Sequence, residues 1–221
     1  MNEIKHKLPA DIERASMGII RKELSARGVT LDPENEAVLL RVIHTTADFD
    51  YAETMRFTPG AVGQGVSALK AGGEIVTDTN MAKTGISKPA LTRLGGMAHC
   101  YMADEAVASA AKAAGTTRAA AAMRLAAQAH PGAVYAIGNA PTALLELCAL
   151  IEQGLRPALV IGVPVGFVNV VESKEALFAA CQTYSVPAIV ATGRKGGSNV
   201  AAAICNALLY TAAGTLDPDK R

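Results

Sequence analysis

The sequence predicts an α/β fold in which a mostly parallel sheet lies between two layers of helices. In the second half of the chain, three short apolar runs each lead into a small-residue turn and a helical pattern, and these runs span residues 133–137, 158–161 and 188–190. Continuously apolar runs that alternate with helices are typical of parallel strands buried on both faces. The 221 residues, half of them hydrophobic, suit one sizeable domain. We therefore predict a single three-layer α/β/α, Rossmann-like domain over residues 1–221, with an ordered core at about 8–212 and short flexible ends.

Periodic apolar residues predict three helices in the first half of the chain, over residues 10–27, 34–47 and 61–71. Asp32-Pro33 precedes the second helix as a cap followed by proline, and Gly72-Gly73 ends the third. The first helix is amphipathic, and its predicted apolar side consists of Ile12, Met17, Ile20 and Leu24.

Two further strands are predicted before the three apolar runs. Residues 74–77 are expected to form the first strand of the sheet, and residues 99–102 the second. Asp104 is placed to cap the helix after the second strand. Thr116-Thr117 is placed to cap an alanine-rich helix over residues 118–129.

The composition excludes several classes of function. The net charge of +1 argues against bulk electrostatic binding of nucleic acid or of an acidic membrane surface. No apolar run approaches the roughly 18 residues that cross a bilayer, and the N-terminal residues lack the apolar stretch of a signal peptide. The four cysteines form no C-x-x-C pair, and three of them lie in apolar patterns that predict buried free thiols. We therefore expect a cytoplasmic protein that binds neither nucleic acid nor membrane.

The turns after the three apolar runs predict a binding site for an anionic ligand. Loops at the carboxyl ends of parallel strands form the ligand crevice of an open α/β sheet, and helix starts direct N–H groups toward negative charge. In the last turn, Arg194 and Lys195 add positive charge. This turn also contains Gly196 and Gly197, whose N–H groups we expect to be exposed, and Ser198, a natural N-cap. An ordinary tight turn explains the segment equally well when it is considered alone.

His44 is the candidate for acid–base chemistry. Arg41, His44 and Asp48 are spaced i, i+3 and i+7, so they share one face if the helix continues through Asp48. Val42 and Ile43 are expected to point toward the core. The helix dipole and the carboxylate would favour the protonated imidazole, whereas the arginine would oppose it. Such a group exchanges a proton near neutral pH, but a surface histidine on a solvated helix face explains the same spacing.

Other polar residues near strand ends have two interpretations each. Arg118 opens the alanine-rich helix, where it either binds a ligand carboxylate bidentately or only solvates the helix start. Asn139 and Thr142 are expected to cap the helix after the first apolar run, and Ser173 the helix after the second. Asp78 follows the first strand, where a single carboxylate favours a turn over a magnesium site.

No metal site is predicted. His99 and Cys100 are adjacent in a predicted strand, so their side chains would face opposite sides. His6 and His130 have no supporting ligand residues near them in the sequence. The chain also has no P-loop string and no dinucleotide fingerprint.

Several strings of this sequence occur together in one known family. They are Arg41–His44, Ala136–Leu144, Gly162–Val168 with Glu172–Lys174, and Gly193–Ser198. In this combination and order the chain resembles the precorrin-8X methylmutases of cobalamin (vitamin B12) biosynthesis. The resemblance runs from about residue 8 to about residue 212 without a large insertion.

The resemblance implies an isomerase that moves the C-11 methyl group of a corrinoid macrocycle to C-12 by a [1,5]-sigmatropic shift. The product would be hydrogenobyrinate, or cobyrinate where cobalt is already in the ring. The resemblance also implies a homodimer without a redox cofactor, in which the residue matching His44 protonates a ring C nitrogen. Ser16, Arg41 and Arg118 match substrate contacts of the family. The expected substrate-binding residues from the turns are Asn139, Thr142, Arg194, Lys195, Gly196, Gly197 and Ser198.

Few catalytic groups are expected for such a reaction, because a pericyclic shift needs positioning and one protonation. Residues 78–82 and 95–104 are more similar to the branch of the family that acts on cobalt-containing substrate, and any cobalt would arrive in the macrocycle. Two alternatives remain. One is a corrinoid carrier without catalytic activity, and the other is a phosphate- or nucleotide-binding α/β enzyme that uses the 193–198 loop.

Overall fold

The computed structural model describes residues 8–220, which form a six-stranded sheet between two helical layers. The strands are β1 (Met55–Phe57), β2 (Ile75–Thr77), β3 (Ala98–His99), β4 (Val134–Ile137), β5 (Leu159–Gly162) and β6 (Ala188–Ala191). The helices are α1 (Pro9–Ala26), α2 (Glu36–Thr46), α3 (Tyr51–Thr54), α4 (Ala61–Lys70), α5 (Asn80–Gly85), α6 (Lys88–Arg93), α7 (Glu105–Ala113), α8 (Arg118–Ala129), α9 (Pro141–Glu152), α10 (Val170–Thr183) and α11 (Ser198–Ala212). A short 3-10 helix, Pro218–Lys220, follows α11.

The strand order is β1-β6-β5-β4-β2-β3. Strands β2 to β6 are parallel to one another, and β1 pairs antiparallel with β6, with Met55 opposite Ala191. The predicted fold class, a single α/β domain with a mostly parallel sheet, is therefore confirmed.

Alternate residues of the central strands enter two separate cores. In β4, Val134 and Ala136 pack in the core that includes α2, α4 and α11. Tyr135 and Ile137 point to the other face, where α8, α9 and α10 cover the sheet. Because successive side chains of a strand point to opposite faces, a continuously apolar strand is what two covered faces require.

The elements that the sequence did not predict are short. Strand β1 and helices α3, α5 and α6 have three to six residues each, too few to show a periodic pattern. The strand predicted at 99–102 is wrong in its position, because β3 has only Ala98 and His99. The other predicted strands and helices are present, with ends that differ by at most two residues.

Helix starts agree only in part with the predicted caps. Thr117 accepts a hydrogen bond from the Ala120 N–H, which confirms it as the cap of α8. Ser173 is not a cap, because α10 already begins at Val170. Its hydroxyl is buried and donates to the Val170 carbonyl instead.

The C-terminal residues contact the first helix, and the flexibility that the sequence indicates for them stays a prediction. Arg14 of α1 forms an ion pair with Asp217 at 3.6 Å and another with Asp219, so residues 216–220 lie against α1. The predicted flexible N-terminal end, including His6, lies outside the described residues.

None of the helices within residues 8–220 combines the length and the hydrophobicity that a membrane crossing requires. The prediction of three buried free thiols is confirmed for Cys148, Cys181 and Cys205. Burial raises the pKa of the Cys205 thiol to about 12, so it remains protonated and inert.

Candidate active site

An apolar cleft lies between α1 and the C-terminal end of α2. It has a volume of about 580 Å³ and is lined largely by Ile12, Ala15, Ile19, Ile20, Ile43 and Phe49. Ser16 and His44 place polar atoms in this cleft, and the Ser16 Oγ lies 2.8 Å from the His44 Nδ1. Ile12, on the predicted apolar side of α1, is 48% exposed, and Ile19 is 58% exposed. Two isoleucines at the open rim of a cleft leave apolar surface for a ligand.

The end of α2 positions His44. Val42 and Ile43 are fully buried, as predicted, and they fix the helix on the sheet. Ala47 adopts the left-handed conformation, with φ 54°, and ends the helix one turn after His44. The expectation that Asp48 continues the His44 face is therefore wrong, because Asp48 lies beyond the helix end.

Asp48 instead connects the cleft to the loop after β6. The Lys195 Nζ lies 2.6 Å from a carboxylate oxygen of Asp48 and 2.6 Å from one of Asp50. The hydrogen bond from Lys195 holds the pKa of the Asp48 carboxyl below its usual value. Because Ala47 and Phe49 line the cleft, this ion pair joins the 193–198 loop to the cleft wall.

Arg41 lies outside the cleft, although it is one turn before His44. Its Nη2 donates to the Glu13 Oε1 at 2.6 Å, and its guanidinium lies 5.3 Å from the centre of the Tyr210 ring. The Arg41 side chain is only 11% exposed. Within this chain, Arg41 therefore joins α1 to α2 and α11, and the structure does not bring it to the Ser16–His44 pair.

A buried lysine holds the 193–198 loop through hydrogen bonds to its backbone carbonyls. The Lys174 Nζ donates to the Gly193 carbonyl at 2.9 Å and to the Lys195 carbonyl at 2.8 Å. Lys174 is 1% exposed, and burial lowers the pKa of its ammonium group to about 8. Sequence reasoning missed this residue.

The glycines of this loop allow close packing, which differs from the predicted exposure of their N–H groups. A Cβ on Gly196 would lie 2.2 Å from the Val163 carbonyl oxygen, so only glycine fits there. The Gly197 N–H donates to the same carbonyl at 2.8 Å and is thus occupied. Ser198 is the first residue of α11 and not its N-cap, and its hydroxyl lies 2.8 Å from the Thr79 hydroxyl.

Asp78 organises the turn after β4, and sequence reasoning assigned it only to a turn of its own. Its two carboxylate oxygens accept hydrogen bonds from the N–H groups of Gly138, Asn139 and Ala140 at 2.7–2.9 Å. Burial raises the pKa of the Asp78 carboxyl, and the three donors oppose that effect. The predicted caps of α9 are wrong, because Ala140 occupies the cap position without a side-chain bond and Asp78 serves this end of the helix.

The starts of α8 and α9 meet at the carboxyl end of the sheet. The Thr117 hydroxyl donates to the Thr142 hydroxyl at 2.8 Å, which places the exposed Arg118 beside the start of α9. Neither Arg118 nor Thr142 lines the Ser16–His44 cleft. The predicted site residues thus form two groups in this chain, one in the cleft and one at the start of α8 and along the loops after β4 and β6, and Arg41 lies in neither.

Exposed apolar side chains accompany the second group. Phe167 is 84% exposed and Val168 is 75% exposed, and both lie in the loop after β5. The Arg194 guanidinium lies 5.5 Å from the centre of the Phe167 ring. Large exposed apolar residues next to cationic ones indicate a binding surface.

Comparison with known proteins identifies the family. The family model described as CbiC, precorrin-8X methylmutase, matches residues 11–211. The cobalt-precorrin-8 methylmutase of Salmonella typhimurium is 49% identical over 180 residues, which cover 80% of this chain and 82% of that protein. The cobalt-precorrin-8 methylmutase of Priestia megaterium is 43% identical, with coverage of 90% and 87%.

A solved structure agrees with this result. The precorrin-8X methylmutase crystal structure from Thermus thermophilus superposes with a TM-score of 0.84 at 42% sequence identity, covering 92% of this chain and 96% of that one. The sequence strings, the sheet topology and the relatives lead to one conclusion: this chain belongs to the precorrin-8X methylmutase family.

Proposed function

We propose that this protein is the isomerase that transfers the C-11 methyl group of cobalt-precorrin-8 to C-12, with His44 as the proton donor. The observation that carries the proposal is the Ser16–His44 hydrogen bond inside an apolar cleft. An aliphatic surface suits the macrocycle, and Arg118 together with the basic loop after β6 suits its acetate and propionate groups. Assignment to the cobalt substrate is supported by the names of the Salmonella typhimurium and Priestia megaterium relatives.

The chemistry needs one proton and a fixed geometry. In the shift, the C-11–methyl bond breaks as the C-12–methyl bond forms, so no electrons leave the substrate and no co-reactant is consumed. Ser16 holds the Nδ1 of His44, and we assign proton delivery to a ring C nitrogen to the Nε2. A positioned acid of this kind contributes typically 10²–10⁴-fold to a rate. No cofactor of the protein takes part, and cobalt belongs to the substrate.

We further propose that two copies of the chain form the working enzyme in the cytoplasm. Arg118 at the start of α8 and the exposed Phe167 in the loop after β5 lie at the carboxyl end of the sheet, outside the cleft of their own chain. A second copy that covers these loops would bring Arg118 and Arg194 to the substrate carboxylates.

Single-turnover absorbance tests the catalytic proposal. Wild-type protein, His44→Ala and the control Thr45→Ala are mixed with precorrin-8 in its cobalt and metal-free forms. Thr45 is a suitable control because its exposed hydroxyl only donates to the Arg41 carbonyl of its own helix. We expect conversion by wild type and Thr45→Ala, with the cobalt form faster, and binding without conversion by His44→Ala.

The same spectra distinguish the alternatives. A corrinoid carrier would shift the spectrum on binding, and neither wild type nor variant would convert the ligand. A phosphate- or nucleotide-binding enzyme would give no spectral response to either corrinoid. Conversion by His44→Ala at the wild-type rate would leave the isomerase assignment in place and overturn the role of His44.

A further inference from the structure

A cluster of metal-ligating side chains lies at the amino end of the sheet. Glu74 immediately precedes β2, His99 is the last residue of β3, and His130 follows the end of α8 before β4. Their donor atoms, one from each residue, all lie within 4.8 Å of one another. No ligand residue lies near His130 in the sequence, but the sheet brings together residues 25 and 31 positions apart.

The side chains of the cluster lie close enough together to converge on one cation. The Glu74 carboxylate places one oxygen 3.3 Å from the His99 Nε2 and the other 2.5 Å from the His130 Nδ1. The two imidazole rings stack, with centroids 4.1 Å apart. A tetrahedral zinc ion with ligands at about 2.0–2.2 Å holds its ligand atoms about 3.4 Å apart, so small side-chain rotations suffice.

A fourth residue orients one of the ligands. The Tyr101 Oη lies 2.6 Å from the Nε2 of His130, the ring nitrogen that does not face Glu74. Metal-bound histidines nearly always use their second ring nitrogen for such a contact, which fixes the ring and the tautomer. The Tyr101 ring also stacks on the His99 ring, with an angle of 9° between the two ring planes. Tyr101 therefore contacts both histidines.

The three side chains of the cluster are partly exposed to solvent. The His99 and His130 side chains are 19% and 15% exposed, and Glu74 is 41% exposed. A cavity of about 470 Å³ adjoins Glu74 and His130, leaving room for a water molecule as a further ligand.

We propose that Glu74, His99 and His130 bind a divalent transition-metal ion of the zinc type, with Tyr101 positioning His130. Two imidazole nitrogens and one carboxylate oxygen form a ligand set that zinc accepts with water in the fourth position. The ion fastens edge strand β3 to the start of β2 and to the α8–β4 junction. It takes no part in the methyl shift, because the cluster lies at the amino end of the sheet and the Ser16–His44 cleft does not include it.

The test is calorimetric titration of metal-stripped full-length protein with Zn²⁺. The ligand variants are Glu74→Gln and His99→Gln, and the matched controls are Glu146→Gln, a carboxylate bound to Arg124, and His44→Gln. We expect one Zn²⁺ per chain for wild type and both controls, with Zn²⁺ raising the melting temperature. Each ligand variant should bind at least tenfold more weakly, and Tyr101→Phe about tenfold more weakly.

The result can overturn the proposal in several ways. Saturable binding that persists in both ligand variants would place the ion elsewhere, and loss of binding in His44→Gln would place it in the cleft. Absence of saturable binding in wild type would show that the cluster is only a hydrogen-bonded network. If the variants do not fold, anomalous diffraction from Zn²⁺-soaked wild-type crystals tests the proposal instead. The proposal requires an anomalous peak between Glu74 and the two histidines, and its absence would overturn the proposal.

Discussion

At the scale of the single residue, the hydroxyl of Ser16 orients the proposed catalytic imidazole. Its Oγ lies 2.8 Å from the His44 Nδ1, and both residues line the apolar cleft. Ser16→Ala leaves the imidazole in place but removes the contact that fixes its ring. The net contribution of one hydrogen bond is about 1 kcal/mol, so we expect kcat to fall about fivefold with little change in KM.

Steady-state kinetics with the corrinoid substrate measures the Ser16 effect. Thr45→Ala is the control, because it also removes one hydroxyl from this helix pair without touching the cleft. A Ser16→Ala enzyme with wild-type kcat would show that His44 needs no orientation by this hydroxyl.

Lys174 predicts a specific dependence of stability on pH. Burial lowers the pKa of its ammonium group to about 8 in the folded chain, against an ordinary value of 10.5. Between these values the unfolded chain binds more protons, so this group makes the folded state more stable as pH rises. Lys174→Met lacks that contribution. We therefore expect the free energy of unfolding of the wild type to rise relative to that of the variant by about 3 kcal/mol between pH 8 and 10.5.

Urea unfolding of wild type and Lys174→Met across this pH interval measures the difference between their free energies of unfolding. The contributions of the other titrating groups are the same in both proteins and cancel in this difference. The exposed Lys112→Met on α7 is the control and should follow the wild type at every pH. A constant difference between wild type and Lys174→Met would mean that the buried amine titrates at its ordinary value.

Side chains differ in how far the sequence could identify them. His44 could be named because a family string contains it, whereas its hydrogen bond to Ser16 depends on the crossing of α1 and α2. Lys174 could have been found from the spacing of Val170, Lys174 and Leu177, which places the lysine on the same helix face as two apolar residues. The structure buries all three. The partners of Asp78 could not, because they lie 60 to 62 residues away in the chain.

At the scale of the element, Asp78 connects β2 to the start of α9. It accepts three backbone hydrogen bonds with both oxygens while 1% exposed. Asp78→Asn would replace one accepting oxygen with an amide that donates, leaving buried N–H groups without acceptors. We expect a loss of about 2–3 kcal/mol in the free energy of unfolding.

Urea unfolding at neutral pH measures this loss. Asp104→Asn is the matched control, because Asp104 occupies the N-cap position of α7 without a side-chain hydrogen bond. That control should change stability by no more than about 0.5 kcal/mol. Equal stability of the two variants would show that the turn after β4 does not depend on Asp78.

The same contrast explains which elements the sequence could predict. Strands β4, β5 and β6 are buried on both faces, so burial itself makes every residue apolar and the pattern readable. Strands β1 and β3 lie at the edges of the sheet and have three and two residues. Their positions follow from pairing with a neighbour, which no local pattern records.

At the scale of the whole molecule, the two ends of the sheet have different roles. The carboxyl end has the basic loops and the exposed Phe167, and the amino end has the Glu74–His99–His130 cluster. Because the parallel strands separate these ends, a change at one should leave the other intact. The proposed metal site and the proposed methyl shift can therefore be tested independently.

The arrangement of the carboxyl end also leads to a prediction about assembly. Phe167 and Val168 are 84% and 75% exposed, which is unusual for large apolar residues unless a ligand or partner covers them. If a second copy covers this loop in the proposed homodimer, Phe167→Asp removes the apolar ring and places a carboxylate in the interface, which splits the dimer. We expect sedimentation equilibrium to show a dimer for wild type and a monomer for Phe167→Asp.

Met97→Asp separates this effect from a general effect of added charge. Met97 is 60% exposed but lies beside β3 at the amino end, where no interface is proposed, so this variant should remain dimeric. Circular dichroism of both variants should match wild type, because neither residue is buried. A Phe167→Asp protein that stays dimeric but binds the corrinoid more weakly would mean that substrate, and not a second copy, covers the loop after β5.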